Sequence, residues 1–256
     1  MPISPDRWYA EIEASTETLA GLVDGADLTR TVPTCPDWTL RQLATHVGRA
    51  HRWAAEITST RSAEFIPFRQ VPDGKFPDDP ALHAPWLRAG AELIIQAVRE
   101  AGSDPVWTFA ELRPASFWAR RMAHETLVHR ADAEIAAGRE VRFEPDMAAD
   151  AIDEWLGLMS GLGGEEDRRL GALPDGAVLH VHATDEGLDG AGEWLVRREG
   201  SEVTVRPGHG QGDVALRGPA GRLLLVLMRR VPPDDPQVQV LGDSALLDGW
   251  LAATPF

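Results

Sequence analysis

With 256 residues, 43% of them hydrophobic, the chain is long enough for one large or two modest cores. Its 40 acidic residues against 25 basic ones give a formal charge of −15, which argues against nucleic acid or an anionic membrane as partner and for a small molecule. Cys35 is the single cysteine, so an intramolecular disulfide and a cysteine-rich zinc site are both excluded, and any metal must use histidine and carboxylate.

The opening Met-Pro-Ile-Ser-Pro-Asp-Arg-Trp has no basic region followed by an apolar core, and no run reaches the length of a membrane span. A cytoplasmic, monomeric protein is expected. Trp8, Ile12, Leu19 and Leu22 form the apolar face of a first helix that should stop near Gly25. After Pro33 and Pro36, Thr39 and Gln42 have capping-box spacing at the head of a second helix, whose core stripe is Leu40, Leu43, Val47, Ala50, Ala54 and Ile57. The segment from about Arg61 to Pro80, with Pro67, Pro72, Pro77 and Pro80, reads as a long irregular crossover of the kind that can cover a site.

A third helix is predicted over Leu82 to Glu100, ending at Gly102, and a fourth from Ser116 to near Gly138. Four such helices suggest a bundle, with a further helix after Pro145 packing across it through Ile152, Trp155, Leu156 and Met159. The stretch Ser160-Gly-Leu-Gly-Gly-Glu-Glu-Asp-Arg-Arg reads as a linker, placing a boundary between 162 and 163. Beyond it, Val178–Ala183, Glu193–Arg198, Glu202–Arg206, Asp213–Arg217 and Val238–Leu241 are short strands, with helices over Leu223–Arg230 and Ser244–Ala253. The fold class is therefore a mainly α four-helix bundle followed by a small α+β domain with an antiparallel sheet.

The chemistry concentrates on the fourth helix, where Trp118, Met122, Glu125, His129 and Asp132 share one face. A carboxylate and an imidazole thus occupy an apolar stripe, where burying either unpaired costs about 2–7 kcal/mol and a divalent ion can offset that cost. Glu125 and His129 differ by about 40° around the helix and can point at one ion, whereas His124 lies about 140° from His129 and cannot easily join them. His46, which shares its face of the second helix with Leu43, Ala50 and Trp53, is the candidate third ligand; His51 should be more exposed. Two histidines and one glutamate leave a coordination position open, the pattern of a catalytic zinc site, and nickel or iron(II) would suit the same donors. Asp132 could instead simply pair with Arg130 or Arg121. Cys35 reads more naturally as a small buried thiol in a helix-entry loop than as a nucleophile. There is no Gly-x-Ser-x-Gly elbow and no Walker loop, and Gly208-His-Gly210-Gln-Gly212 reads as a turn between strands.

The run Val32-Pro-Thr-Cys-Pro-Asp-Trp-Thr-Leu-Arg-Gln-Leu-Ala-Thr-His46-Val resembles the entry to the second helix in the mycothiol-dependent maleylpyruvate isomerase family of DinB-like bundles. The later His124-Glu125-Thr-Leu-Val-His129-Arg-Ala-Asp132-Ala is similar to that family's second signature, and His46, Glu125 and His129 match its metal-ligand positions. Gly218-Pro-Ala-Gly-Arg-Leu-Leu-Leu-Val-Leu-Met-Arg-Arg230 and the Gly242-Asp-Ser-Ala-Leu-Leu-Asp-Gly-Trp250 that follows resemble its sterol-carrier-like C-terminal domain, with Arg230 at a family arginine that handles an acidic substrate or the thiol. Arg229 departs from the family's more frequent glycine, and Asp37 lies in a region where glycine is commoner.

The resemblance implies an actinobacterial-type enzyme in which a divalent metal activates mycothiol as co-substrate for isomerisation of, or sulfur transfer to, a small electrophilic anion. A metal-binding module without turnover and a metal-dependent hydrolase remain open beside it.

Overall fold

A computed structural model describes residues 3–109, 111–161, 173–200 and 202–254. By its contacts the chain divides into two units, Pro2–Val141 and Arg142–Phe256. The expected linker at 160–169 lies largely outside the described residues.

The first unit is a four-helix bundle of α1 (Pro5–Val23), α2 (Leu40–Ser59), α3 (His83–Ala101) and α4 (Ser116–Ala136). Each start has a local cause. Ser4 caps α1 by accepting from the Arg7 amide, and Pro5 occupies the first turn, where no amide donor is needed. Thr39 and Gln42 close the anticipated capping box on α2, with the Thr39 amide donating to Gln42 Oε1 at 2.8 Å. Glycines with positive φ follow the ends of α1, α3 and α4 at Gly25, Gly102 and Gly138.

Both α1 and α2 pack against α3 and α4, around Ile12, Leu19, Leu43, Val47, Leu87 and Ile94. Close approach of α2 and α3 depends on Gly48 and Gly90. A Cβ at Gly48 would overlap the Trp86 ring, and one at Gly90 would lie 2.7 Å from Arg52 Nη1. Buried on nearly every side, α4 brings Trp118, Met122, His129 and Asp132 into the core.

Two hairpins were not anticipated. One joins β1 (Thr31–Val32) to β2 (Cys35–Thr39), and the other joins β3 (Pro105–Trp107) to β4 (Leu112–Pro114). Each is too short, and too rich in proline, to show a period-two pattern. The irregular 61–80 segment contains a short 3-10 turn at Phe68–Gln70 and is tied to α2 by Trp53 Nε1 donating to the Ile66 carbonyl at 2.7 Å.

The second unit opens with α5 (Pro145–Gly161) and continues through β5 (Val178–Ala183), β6 (Glu193–Glu199), β7 (Glu202–Pro207), β8 (Val214–Gly218), α6 (Ala220–Leu227), β9 (Gln239–Gly242) and α7 (Ser244–Ala253). By its contacts α5 groups with this unit, packing on α6 and β7 and accepting Trp194 Nε1 at Asp153 Oδ1, 3.1 Å. The sheet runs β7-β6-β5-β8-β9 and is antiparallel except where β5 and β8 lie parallel. A parallel neighbour requires a crossover. Residues 208–213, of which 208–212 are expected from sequence to be a turn, make that crossing, leaving β7 and entering β8 beyond β6 and β5. Leu179, Val181, Trp194, Val196, Val214 and Leu216 form the buried face of the sheet, with Leu223, Leu224 and Trp250 from α6 and α7 also buried.

Candidate metal centre

His46, Glu125 and His129 converge in the bundle, each offering one donor atom within 4.8 Å of the others'. His46 Nε2 lies 2.6 Å and His129 Nε2 3.4 Å from the same oxygen, Glu125 Oε1. The other oxygen, Oε2, accepts Arg121 Nη2 at 2.7 Å, so one guanidinium holds the carboxylate with Oε1 toward the imidazoles.

Asp132 completes the arrangement from behind. His129 Nδ1 is 2.8 Å from Asp132 Oδ2, while Asp132 Oδ1 accepts the Thr34 hydroxyl at 2.5 Å and Oδ2 the Cys35 thiol at 3.6 Å. The first hairpin therefore anchors Asp132, while Arg130 pairs with Glu134 and Arg121 with Glu125. A carboxylate on Nδ1 fixes the histidine ring and its tautomer, leaving the Nε2 lone pair for a cation. Cys35 is half-buried on β2, its thiol engaged with Asp132; Cys35, His129 and Asp132 make a second convergent set around the same imidazole.

Burial alone would raise the Glu125 pKa, yet hydrogen bonds from His129 and His46 and the Arg121 charge hold it well below the usual carboxylate range. Burial would lower the His129 pKa, but Asp132 and Glu125 raise it above the ordinary value. The donor set thus suits a divalent cation, with two imidazoles and one ionised carboxylate, held in place by Asp132 on His129 and Arg121 on Glu125.

The two histidines of α2 reverse the expected order of exposure. His46 has a side chain 38% exposed and lines a cavity, whereas His51 is fully buried. The hydroxyl of Thr126 donates to the Met122 carbonyl, so His51 Nε2–H must donate to Thr126 Oγ1 at 2.7 Å. Burial drives the His51 pKa down to about 3 and keeps the ring neutral. His124 is buried on α4 and joins none of the convergent groups found among the described residues.

The cavity beside His46 and Glu125 measures about 530 Å3. Trp38, Trp53, Phe68 and Trp118 give it apolar walls, and Arg41, Arg49 and Arg121 supply positive charge. Trp38, one residue before the cap of α2, sets its ring 4.8 Å from that of His46. Arg41 is engaged by the Pro77 carbonyl and Asp78, while the Arg49 guanidinium lies 5.8 Å from the Phe68 ring centre at the exposed end of its helix turn. Arg49 was missed in the sequence, although its position three residues after His46 puts both on one helix face. The irregular segment does cover the site, through Phe68.

Arg230 lies in the other unit, just beyond α6. It is buried, and its Nη1 donates to the Met228 carbonyl at 2.7 Å. Arg229 beside it takes φ 57°, a left-handed conformation that glycine adopts without a steric penalty.

The mycothiol maleylpyruvate isomerase N-terminal domain matches residues 8–134, and the corresponding C-terminal domain matches residues 146–249. Among solved structures, a mycothiol-dependent maleylpyruvate isomerase matches at 13% identity with a TM-score of 0.60, covering 93% of each chain. A histidine-to-alanine mutant of a mycothiol-dependent maleylpyruvate isomerase matches at 13% identity with a TM-score of 0.59 and the same coverage. At that identity the likeness establishes the fold. No curated protein matches the chain.

Proposed function

The chain belongs to the mycothiol maleylpyruvate isomerase family, and from that premise we propose that it is a divalent-metal, mycothiol-dependent enzyme that isomerises a small anionic electrophile. The observation that carries this reading is the convergence of His46, Glu125 and His129 at the edge of an arginine-lined cavity. His46 Nε2, Glu125 Oε1 and His129 Nε2 would hold the ion, with zinc the leading candidate. When bound, the ion would lower the pKa of a coordinated thiol, and mycothiol would supply the nucleophilic sulfur.

The chain's own residues do the rest. Arg121 keeps Glu125 ionised and aimed, and Asp132 keeps the His129 proton on Nδ1. Trp38, Trp53 and Trp118 exclude water from the apolar wall, which strengthens the electrostatics inside. Arg49 faces the same cavity and would bind a substrate carboxylate there. By the family resemblance Arg230 would hold an acidic group of the substrate or the thiol.

Metal analysis and mycothiol-binding calorimetry on the wild type and His46→Ala test the reading. The variant should lose one equivalent of bound metal together with its thiol affinity; unchanged metal content would refute the ligand assignment. Rates with and without added thiol then separate this chemistry from hydrolysis by bound water. Recovery of free thiol after turnover separates isomerisation from sulfur transfer.

A further inference from the structure

The second unit carries another cluster of metal-binding side chains. His180, His182, Glu193 and His209 each place one donor atom within 4.8 Å of the others'. Three of the chain's eight histidines meet here. The cluster lies on the sheet face opposite Leu179, Val181 and Trp194, because His180 and His182 alternate with those apolar residues along β5 and Glu193 pairs directly across from His182 on β6. The hydrophobic core therefore does not require imidazoles at these positions.

His209 arrives from a different segment. The crossing Gly208-His-Gly-Gln-Gly-Asp213 runs close over this face, and its glycines make the approach possible. A Cβ on Gly210 would lie 2.6 Å from Leu195 Cδ1, and one on Gly212 would lie 3.0 Å from His180 Cβ and 2.7 Å from the Val214 carbonyl oxygen. This strap buries His180, whose side chain is 7% exposed, and carries His209, which is 75% exposed.

Three imidazole nitrogens face one carboxylate oxygen. Glu193 Oε2 lies 2.7 Å from His209 Nδ1, 2.9 Å from His180 Nε2 and 3.4 Å from His182 Nδ1. A carboxylate oxygen has about two lone-pair sites, so it cannot serve three N–H donors equally. A cation among the four groups would instead use a lone pair from each. The ring centres are 5.4, 5.5 and 6.1 Å apart, close to the separation of about 5 Å expected for three imidazoles on a tetrahedral ion with metal–nitrogen distances of about 2.0–2.1 Å.

We propose that His180, His182, Glu193 and His209 form a second metal site, taking a borderline divalent ion such as Zn2+ and pinning the 208–213 strap to β5 and β6. Four protein ligands close the coordination shell, the pattern of a structural ion, in contrast to the open three-ligand set of the bundle. The site is independent of the proposed thiol chemistry, so the two can fail separately.

Equilibrium dialysis of the full-length metal-free protein against Zn2+ tests the proposal, using wild type, His46→Ala, His209→Ala and the double variant His182→Ala/His209→Ala. Wild type should take up two equivalents and the double variant one. His46→Ala should retain the equivalent that the double variant lacks, and its 208–213 amides should exchange more slowly with Zn2+ present than absent. One equivalent in wild type, kept by His46→Ala and lost from the double variant, would support this site while refuting the bundle site. Equal uptake by wild type and both cluster variants would overturn the proposal. Because His209 is exposed, His209→Ala should keep the metal-free melting temperature, so its metal loss reports on ligation and not on unfolding.

Discussion

Asp132 touches neither cavity nor proposed ion, yet it determines which nitrogen of His129 is available. Asp132→Asn should leave the metal in reach but weaken its binding about 10–100-fold, measurable by chelator competition. Unchanged affinity would remove Asp132 from the site. His51 makes a different prediction. Its folded-state pKa of about 3 lies below its unfolded value, so the unfolded chain binds a proton that the native state refuses. Stability therefore falls as pH drops below about 6.5, by up to about 1.4 kcal/mol per pH unit from this residue. Urea unfolding of His51→Gln should show a shallower loss between pH 6.5 and 4.5; an unchanged slope would mean that the burial of His51 does not set it. At this scale Glu125 and His129 were legible because polar groups interrupted an apolar stripe. The anchoring of Asp132 and the burial of His51 were not, because both depend on which segment packs against them.

Helix contacts and backbone conformation govern the next scale. Gly48 lets Trp86 lie directly on α2, so Gly48→Ala must displace that ring and separate α2 from α3. A loss of about 1–3 kcal/mol in chemical denaturation is expected, and no loss would mean that Trp86 moves freely. Arg229 holds a left-handed φ that costs an L-residue about 1–2 kcal/mol, partly offset by glycine's greater chain entropy. Arg229→Gly should therefore raise the melting temperature slightly, and a fall would show that the arginine side chain contributes more than the strain costs. The capping box at Thr39 and Gln42 and the glycine stops made the bundle helices readable from sequence. The parallel β5–β8 pair was not readable, since alternation along a strand does not reveal its neighbour, and the strap's glycines look like those of an ordinary turn.

Across the whole molecule, two family domains account for nearly all of the chain, and each unit brings together its own set of histidine and carboxylate donors. The packing of α5 with the second unit was hidden because an amphipathic helix specifies that a face is buried and not against what. In the bundle, His129 belongs to two competing groups of donors. Anomalous diffraction at the zinc edge from crystals grown with Zn2+ and mycothiol distinguishes them. A peak is expected within about 2.0–2.2 Å of His46 Nε2, Glu125 Oε1 and His129 Nε2, with the thiol sulfur in the remaining position. A peak held instead by Cys35, Asp132 and His129 Nδ1, or none in the bundle, would overturn the assignment of His46, Glu125 and His129 as ligands.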